Sequence, residues 1–148
     1  SSYRDNYLLY CTLKKYDVIS DDKIVYLSHN TILKSAIQKY ESNAWEIAFC
    51  PDCLVYCGRK IFAAPHDMDK TVIDKYIEVY GEPVAIVFRD NIFIVADNIK
   101  KAKEIESVLE FSATVNIYNE GHDLECLSLK EQGYLLNWES EKYRKNMK

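Results

Sequence analysis

The sequence predicts an α/β fold, a three-layer α/β/α sandwich with a mixed central sheet. Two observations lead to this prediction. Several segments carry apolar residues at helical spacing, and between them lie short apolar runs that do not alternate with polar residues. Strands of that composition are usually buried on both faces, so the sheet needs a layer of helices on each side. The length of 148 residues is that of one domain.

Five segments are predicted to be helical, the first four because apolar residues recur along them at helical spacing and the last because of its capping pattern. In chain order they are 3–16, 31–40, 69–81, 98–118 and a last helix from residue 128. Asn98 is expected to cap the longest helix, and Gly81 to end the helix before it. Ser128 and Glu131 form a capping-box pattern at the start of the last helix. The apolar face of the longest helix is assigned to Ile99, Ala102, Ile105, Leu109 and Ala113.

Five apolar runs between the helices are predicted to be strands. They are "KIVYL", "CLVYC", "KIFAA", "PVAIVF" and "NIFIVA". The stretch "VFRDNIFIV" is predicted to be a hairpin that joins the last two runs, with Asp90 and Asn91 as its two-residue turn. The resulting order is α-β-α-β-β-α-β-β-α-α, which suits a mixed sheet between helices.

Composition excludes several classes of function. The net charge of -4 argues against a nucleic-acid surface, which would need a basic stripe. The apolar runs are too short to span a bilayer, so no membrane partner is expected. The four glycines do not form a dinucleotide-binding or P-loop motif. The start of the chain lacks the pattern of a secretion signal, and the odd number of cysteines does not suggest a disulfide framework, so we expect a cytoplasmic protein with free thiols.

The stretch "CPDCLVYCG" contains Cys50, Cys53 and Cys57. A redox Cys-x-x-Cys usually lies at the start of a helix, where the dipole lowers the thiol pKa, but here a predicted strand follows. A structural zinc site typically has a second pair of ligands, and none follows. We interpret these cysteines as small buried apolar residues. The alternative is a small zinc or redox protein that uses all three.

The histidines and tyrosines carry weaker signals. His29, His66 and His122 stand singly, and each is expected to be solvated or to cap a helix. Twelve tyrosines are many for this length, and most are expected to pack in the core. An oligomer interface or a sugar-binding cleft is the alternative interpretation of the tyrosines, because aromatic rings are enriched in both.

Three segments in succession resemble the C-terminal half of a class II aldolase/adducin domain. They are "AFCPDCLVYCGRKIFAAP", "GEPVAIVFRDNIFIVADNIKKAKEIESVLEFSATV" and "LSLKEQGYLLNWESEKYRK", which together lie within residues 44–146. The resemblance implies a mixed sheet between helix layers and active sites between the subunits of a homo-oligomer. It also implies a divalent metal, usually zinc, which is held by histidines and polarises the carbonyl of a sugar phosphate. The chain would then be one domain or the C-terminal part of a larger domain.

The metal-binding histidines of that family are not matched here. No His-x-His occurs, and the last metal histidine, which precedes a glycine in the hairpin turn, falls on Asp90. The resemblance therefore implies Asp90 as a metal ligand and Arg89 as a contact for the substrate anion. A solvated hairpin turn is the alternative for both residues. The resemblance thus implies part of a sugar-phosphate aldolase or epimerase, with a non-catalytic binding or oligomerisation module as the alternative.

Overall fold

The computed structural model describes residues 2–40 and 61–118. The helices are α1 (Ser2–Lys15), α2 (Thr31–Tyr40), α3 (Lys70–Tyr80) and α4 (Ile99–Tyr118). The strands are β1 (Ile24–Leu27), β2 (Phe62–Ala63), β3 (Ala85–Phe88) and β4 (Asn91–Ala96). Each helix and strand predicted within these residues is therefore confirmed. The strand predicted at 53–57 and the helix predicted from residue 128 lie outside the described residues.

The described strands form one mixed sheet in the order β1-β4-β3-β2. Strand β4 is antiparallel to both β1 and β3, whereas β2 and β3 are parallel. Strands β1, β2 and β3 consequently run in the same direction. Their last residues, Leu27, Ala63 and Phe88, lie at one edge of the sheet, which we call the carboxyl edge.

Two separate apolar cores cover the two faces of the sheet. One core combines buried residues of α2 and α4, such as Leu33 and Leu109, with Ile94 of β4. The other combines buried residues of α1 and α3, such as Leu9 and Ile73, with neighbouring residues of β4 on the opposite face. Successive side chains of a strand point to opposite faces, so one strand supplies both cores. This arrangement confirms the predicted three-layer sandwich.

Burial follows the position of each strand in the sheet. Strands β3 and β4 lie in the middle of the described sheet and are buried on both faces, as their continuous apolar sequences predicted. Strand β1 lies at one side of the described sheet, and three of its four residues are only partly buried. No helix in the described ranges is long and apolar enough to cross a membrane.

The helix ends agree with the sequence signals. Oδ1 of Asn98 accepts a hydrogen bond of 2.8 Å from the backbone N of Lys101, which caps α4. Gly81 ends α3 with a φ of 83°, and its N–H donates to the carbonyl of Ile77. At the start of α3, Oδ1 of Asp69 accepts from the N–H of Val72 at 3.1 Å.

One prediction about burial needs correction. Ile99 is 60% exposed, because it is the first residue of α4 and lies in the turn before the buried Ala102. Tyrosine packing agrees with the prediction in part: four of the tyrosines with described side chains are partly buried and pack against the cores, namely Tyr10, Tyr16, Tyr26 and Tyr76. A phenol keeps its hydroxyl close to water more easily at such a position. Tyr3 and Tyr7 are instead 73% and 72% exposed.

Candidate functional site

The β3–β4 turn carries the two residues that the sequence analysis singled out. Phe88 pairs with Asn91 across the hairpin, so the loop consists of Arg89 and Asp90 alone. Their φ values are 49° and 65°, and two positive φ angles in a two-residue loop are typical of a type I′ turn. The predicted turn pair, Asp90 and Asn91, was thus displaced by one residue. Asn91 belongs to β4, and its side-chain amide donates to the carbonyl of Arg89 at 3.0 Å.

This turn lies at the carboxyl edge of the sheet. The segments 28–30 and 64–69 follow β1 and β2 at the same edge, because these strands are parallel to β3. In open α/β sheets, ligands bind in the crevice outside the carboxyl ends of the strands. The carboxyl edge is therefore the first place to search for a site.

A cavity of about 410 Å³ lies on the α1/α3 side of the turn. The residues that line it come from α1, the 64–69 segment and the end of β3: Leu8, Thr12, His66, Asp67, Met68, Asp69, Phe88 and Arg89. Nη1 of Arg89 donates to Oδ1 of Asp5 at 3.2 Å, and the guanidinium carbon is 4.9 Å from the centre of the Phe88 ring. We call this space the Arg89 cavity.

Arg89 is incompletely satisfied in this arrangement. Its side chain is 27% exposed and that of Asp5 is 16% exposed, so the ion pair is neither solvated nor fully buried. Nε of Arg89 is buried and has no hydrogen-bond partner among the described residues. A buried donor without a partner usually costs about 1–3 kcal/mol, so a position of the side chain that brings this nitrogen to an acceptor atom would recover that cost.

Asp90 lies on the other side of the turn. It is exposed and lines a recess of about 10 Å³ together with residues of the β1–α2 segment and of α2, among them Ser28, Asn30 and Lys34. Arg89 and Asp90 are neighbours in sequence, but they border different spaces on the two sides of the sheet.

The residues around Asp90 do not by themselves fit a metal. The recess contains two amides, of Asn30 and Asn91, and a lysine ammonium but no second carboxylate. Oδ1 of Asn30 already accepts from the N–H groups of Ile32 and Leu33. No group of three or more His, Cys, Asp or Glu residues within 2–40 and 61–118 is arranged to hold a metal ion. The zinc site at Asp90 stays a prediction, because its other ligands would have to come from outside these ranges.

A polar network joins the β1–α2 segment to α4 next to this recess. Oε2 of Glu106 accepts from the Ser28 hydroxyl at 2.5 Å, and Oε1 accepts from the Tyr26 hydroxyl at 3.3 Å. Glu110 accepts from the amide of Asn30 at 3.0 Å. Burial, together with the charge of Glu106, raises the pKa of Tyr26. The network fixes the segment that follows β1 at the carboxyl edge.

The sequence analysis did not identify this network or the Arg89 cavity. Glu106 and Glu110 are four residues apart on α4, and this spacing was the available signal that both face the same neighbour. His66 is exposed, as expected for a lone histidine, yet it shares the Arg89 cavity. His29 is also exposed, with its ring centre 6.3 Å from that of Tyr3.

The remaining candidate residues are only partly described. Cys11 is a half-buried free thiol. Cys50, Cys53, Cys57 and His122 lie outside the described residues. The zinc or redox interpretation of the three clustered cysteines therefore stays a prediction.

Comparison with known proteins finds structures of similar fold but no match in sequence. No family model and no curated protein matches the sequence. The structure is similar to that of YgbL from Escherichia coli, with a TM-score of 0.58 and 15% identity over 88% of this chain and 64% of that one. It is also similar to YgbL from Klebsiella pneumoniae, with a TM-score of 0.52 and 14% identity over 75% of this chain and 56% of that one. Both are described as proposed aldolase/epimerase/decarboxylase proteins.

The likeness to YgbL shows a shared fold. At these identities it confirms the α/β architecture and does not transfer an activity. The chain spans less than two thirds of the length of either YgbL structure.

Proposed function

We propose that the chain is a class II aldolase/adducin-type domain and part of a sugar-phosphate aldolase or epimerase. Two independent lines support the proposal. Segments within 44–146 resemble that family in sequence, and the fold is that of the YgbL structures, which are described as proposed aldolase/epimerase/decarboxylase proteins. A cytoplasmic homo-oligomer, with its sites between subunits, is part of the proposal.

The position of the β3–β4 turn is the observation that carries this proposal. The type I′ turn holds Arg89 and Asp90 at the carboxyl edge, and the resemblance aligns Asp90 with a metal-binding histidine. In the proposed site, Asp90 is an oxygen ligand of zinc and Arg89 meets the anionic group of the sugar phosphate. A bound zinc ion would polarise the substrate carbonyl.

The test measures zinc content and the cleavage or epimerisation of ketose phosphates by the purified chain. Asp90→Asn keeps the shape of the side chain and removes its charge. We expect the variant to lose zinc and activity while its circular dichroism spectrum is unchanged. A zinc-free wild-type protein that acts on no ketose or pentulose phosphate would contradict the proposal.

A non-catalytic binding or oligomerisation module is the second candidate. It is supported by the lack of a three-ligand metal group in the described ranges and by the exposed rings of Tyr3 and Tyr7 on α1. A zinc-free, inactive chain that forms a stable oligomer in solution would favour it. Zinc that is lost on mutating Cys50 or Cys53, and not on mutating Asp90, would instead favour the cysteine site.

A further inference from the structure

We infer that the Arg89 cavity binds the anionic end of a small hydroxylated ligand, and that this ligand takes Arg89 away from Asp5. The inference rests on the proposed function for the ligand class, a sugar phosphate. It adds a binding site on the α1/α3 side of the turn, separate from the recess beside Asp90.

The size and lining of the cavity suit such a ligand. Its volume of about 410 Å³ falls within the range of small-molecule sites. Leu8, Met68 and Phe88 provide apolar surface for a carbon skeleton, while Thr12 and His66 offer polar groups. Ligand sites usually combine apolar surface with a small number of polar groups that fix the orientation of the ligand.

The guanidinium of Arg89 has a donor that its pairing with Asp5 leaves unsatisfied. Nη1 is used by Asp5, whereas Nε has no partner among the described residues. Nε and Nη2 form the side of the guanidinium that binds carboxylate or phosphate with two parallel hydrogen bonds. The contact with the Phe88 ring, at 4.9 Å, holds the plane of the guanidinium.

Three carboxylates near this arginine decide which anion fits. Asp5 is paired with Arg89, and Asp69 caps α3, where the helix dipole offsets its charge. Asp67 is exposed and lines the cavity. A carboxylate repels a bare anion but accepts hydrogen bonds from hydroxyl groups. The lining therefore favours an anion on a carbon chain with alcohol groups, which can donate to Asp67, over inorganic phosphate, which has neither the chain nor the alcohols.

Nε is buried, so the ligand reaches it only when the side chain of Arg89 turns from Asp5 towards the cavity. Asp5 thus acts as an internal competitor that occupies the arginine in the free protein. Removing the charge of Asp5 leaves the arginine available to the ligand, whereas removing Arg89 eliminates the contact.

The first experiment titrates the isotope-labelled full chain by NMR with three probes: glycerol 3-phosphate, inorganic phosphate and glycerol. We expect glycerol 3-phosphate to bind most tightly, with amide shifts concentrated at residues 66–69 and 88–90. Inorganic phosphate should bind at least several-fold more weakly, and glycerol should cause no saturable shift. Saturable binding of glycerol at these residues, or of glycerol 3-phosphate only elsewhere, would overturn the inference.

The second experiment compares two variants that break the same ion pair. Arg89→Gln should raise the dissociation constant for glycerol 3-phosphate by about tenfold or more, since a hydrogen bond to a charged group is lost. Asp5→Asn should lower it, because the competitor is gone. Lys103→Gln, which removes one positive charge from an exposed position on α4, is the matched control and should leave the constant unchanged, because α4 covers the other face of the sheet.

The variants separate a binding role from a structural one. If Arg89→Gln and Asp5→Asn weaken binding equally, the ion pair only shapes the cavity and the inference is wrong. If Arg89→Gln does not fold, Arg89→Lys keeps the charge without the planar fork and should still bind several-fold more weakly. Ketose-phosphate turnover that is unchanged in Arg89→Gln would overturn this inference together with the substrate contact proposed for Arg89, and would leave the proposed reaction and the metal role of Asp90 standing. If the chain binds glycerol 3-phosphate at residues 66–69 and 88–90 but turns over no ketose phosphate, the inference stands and the proposed function is contradicted.

Discussion

Substitutions at Asp90 separate the backbone role of this residue from its proposed chemical role. Asp90 has a φ of 65° in a two-residue turn, a conformation that costs most L-residues free energy. Asparagine and aspartate tolerate it because their short polar side chains can bond locally. Asp90→Ala therefore removes the carboxylate and the tolerance together, whereas Asp90→Asn removes only the charge.

The size of the effect follows from the turn geometry. A left-handed conformation costs an ordinary L-residue about 1–2 kcal/mol, and part of this cost is already present with aspartate. We expect Asp90→Ala to lower the free energy of unfolding by about 1 kcal/mol, and Asp90→Asn to change it by less than about 0.5 kcal/mol. Asp90→Gly relieves the backbone strain in the folded state. It also makes the unfolded chain more flexible, which lowers the free energy of unfolding by about 0.4–1 kcal/mol, so the net change in this free energy should be close to zero.

Equilibrium unfolding in urea measures this order. With a slope of about 2 kcal/mol/M, a loss of about 1 kcal/mol lowers the midpoint by about 0.5 M without a change in slope. Asp90→Ala with a wild-type midpoint would refute the turn geometry. An Asp90→Asn variant as unstable as Asp90→Ala would show that the carboxylate itself stabilises the fold. Otherwise, zinc lost by Asp90→Asn is attributable to the missing ligand and not to a damaged turn.

Two further substitutions test features outside the site. Gly81→Ala should lower the free energy of unfolding by about 1–2 kcal/mol, because a φ of 83° with a ψ of -170° is a conformation that few residues other than glycine adopt. The cost comes from the backbone alone, since an added Cβ would meet no atom within 4 Å. An unchanged urea midpoint would contradict this prediction. Burial, and secondarily the charge of Tyr80, raises the pKa of Tyr76 above its ordinary value of 10.0. The unfolded chain therefore loses this proton at a lower pH than the folded chain does, so the free energy of unfolding is constant below about pH 10 and falls as the pH rises further. Tyr76→Phe should make this fall shallower in unfolding measured from about pH 9 to 11, and equal slopes would show that Tyr76 does not ionise on unfolding.

Local periodicity was sufficient to predict the described elements. The continuous apolar runs of β3 and β4 predicted strands buried on both faces, and their side chains supply the two cores. Asn98 and Gly81 marked helix ends because capping depends on only a few neighbouring residues. Ile99 was misassigned because periodicity gives the direction of a side chain and not how far the packed layer extends.

The site was predicted less completely because its contacts join distant parts of the chain. Asp5 and Arg89 are separated by 84 positions, and Ser28 and Glu106 by 78. The sequence around each residue carries no signal that it contacts a residue so far along the chain. The turn was displaced by one position because the sequence signal, a polar pair, does not reveal that Asn91 already pairs with Phe88.

The turn also changes how the two candidate residues relate to each other. In sequence, Arg89 and Asp90 look like parts of one site. In the structure, Arg89 borders the cavity on the α1/α3 side, and Asp90 borders the recess on the α2/α4 side. A ligand that uses both residues must therefore cross the turn at the carboxyl edge. If one ligand does so, Asp90→Asn should weaken glycerol 3-phosphate binding more in the presence of zinc than in its absence. If zinc makes no difference, the anion contact and the proposed metal ligand act independently, although they are adjacent in the chain.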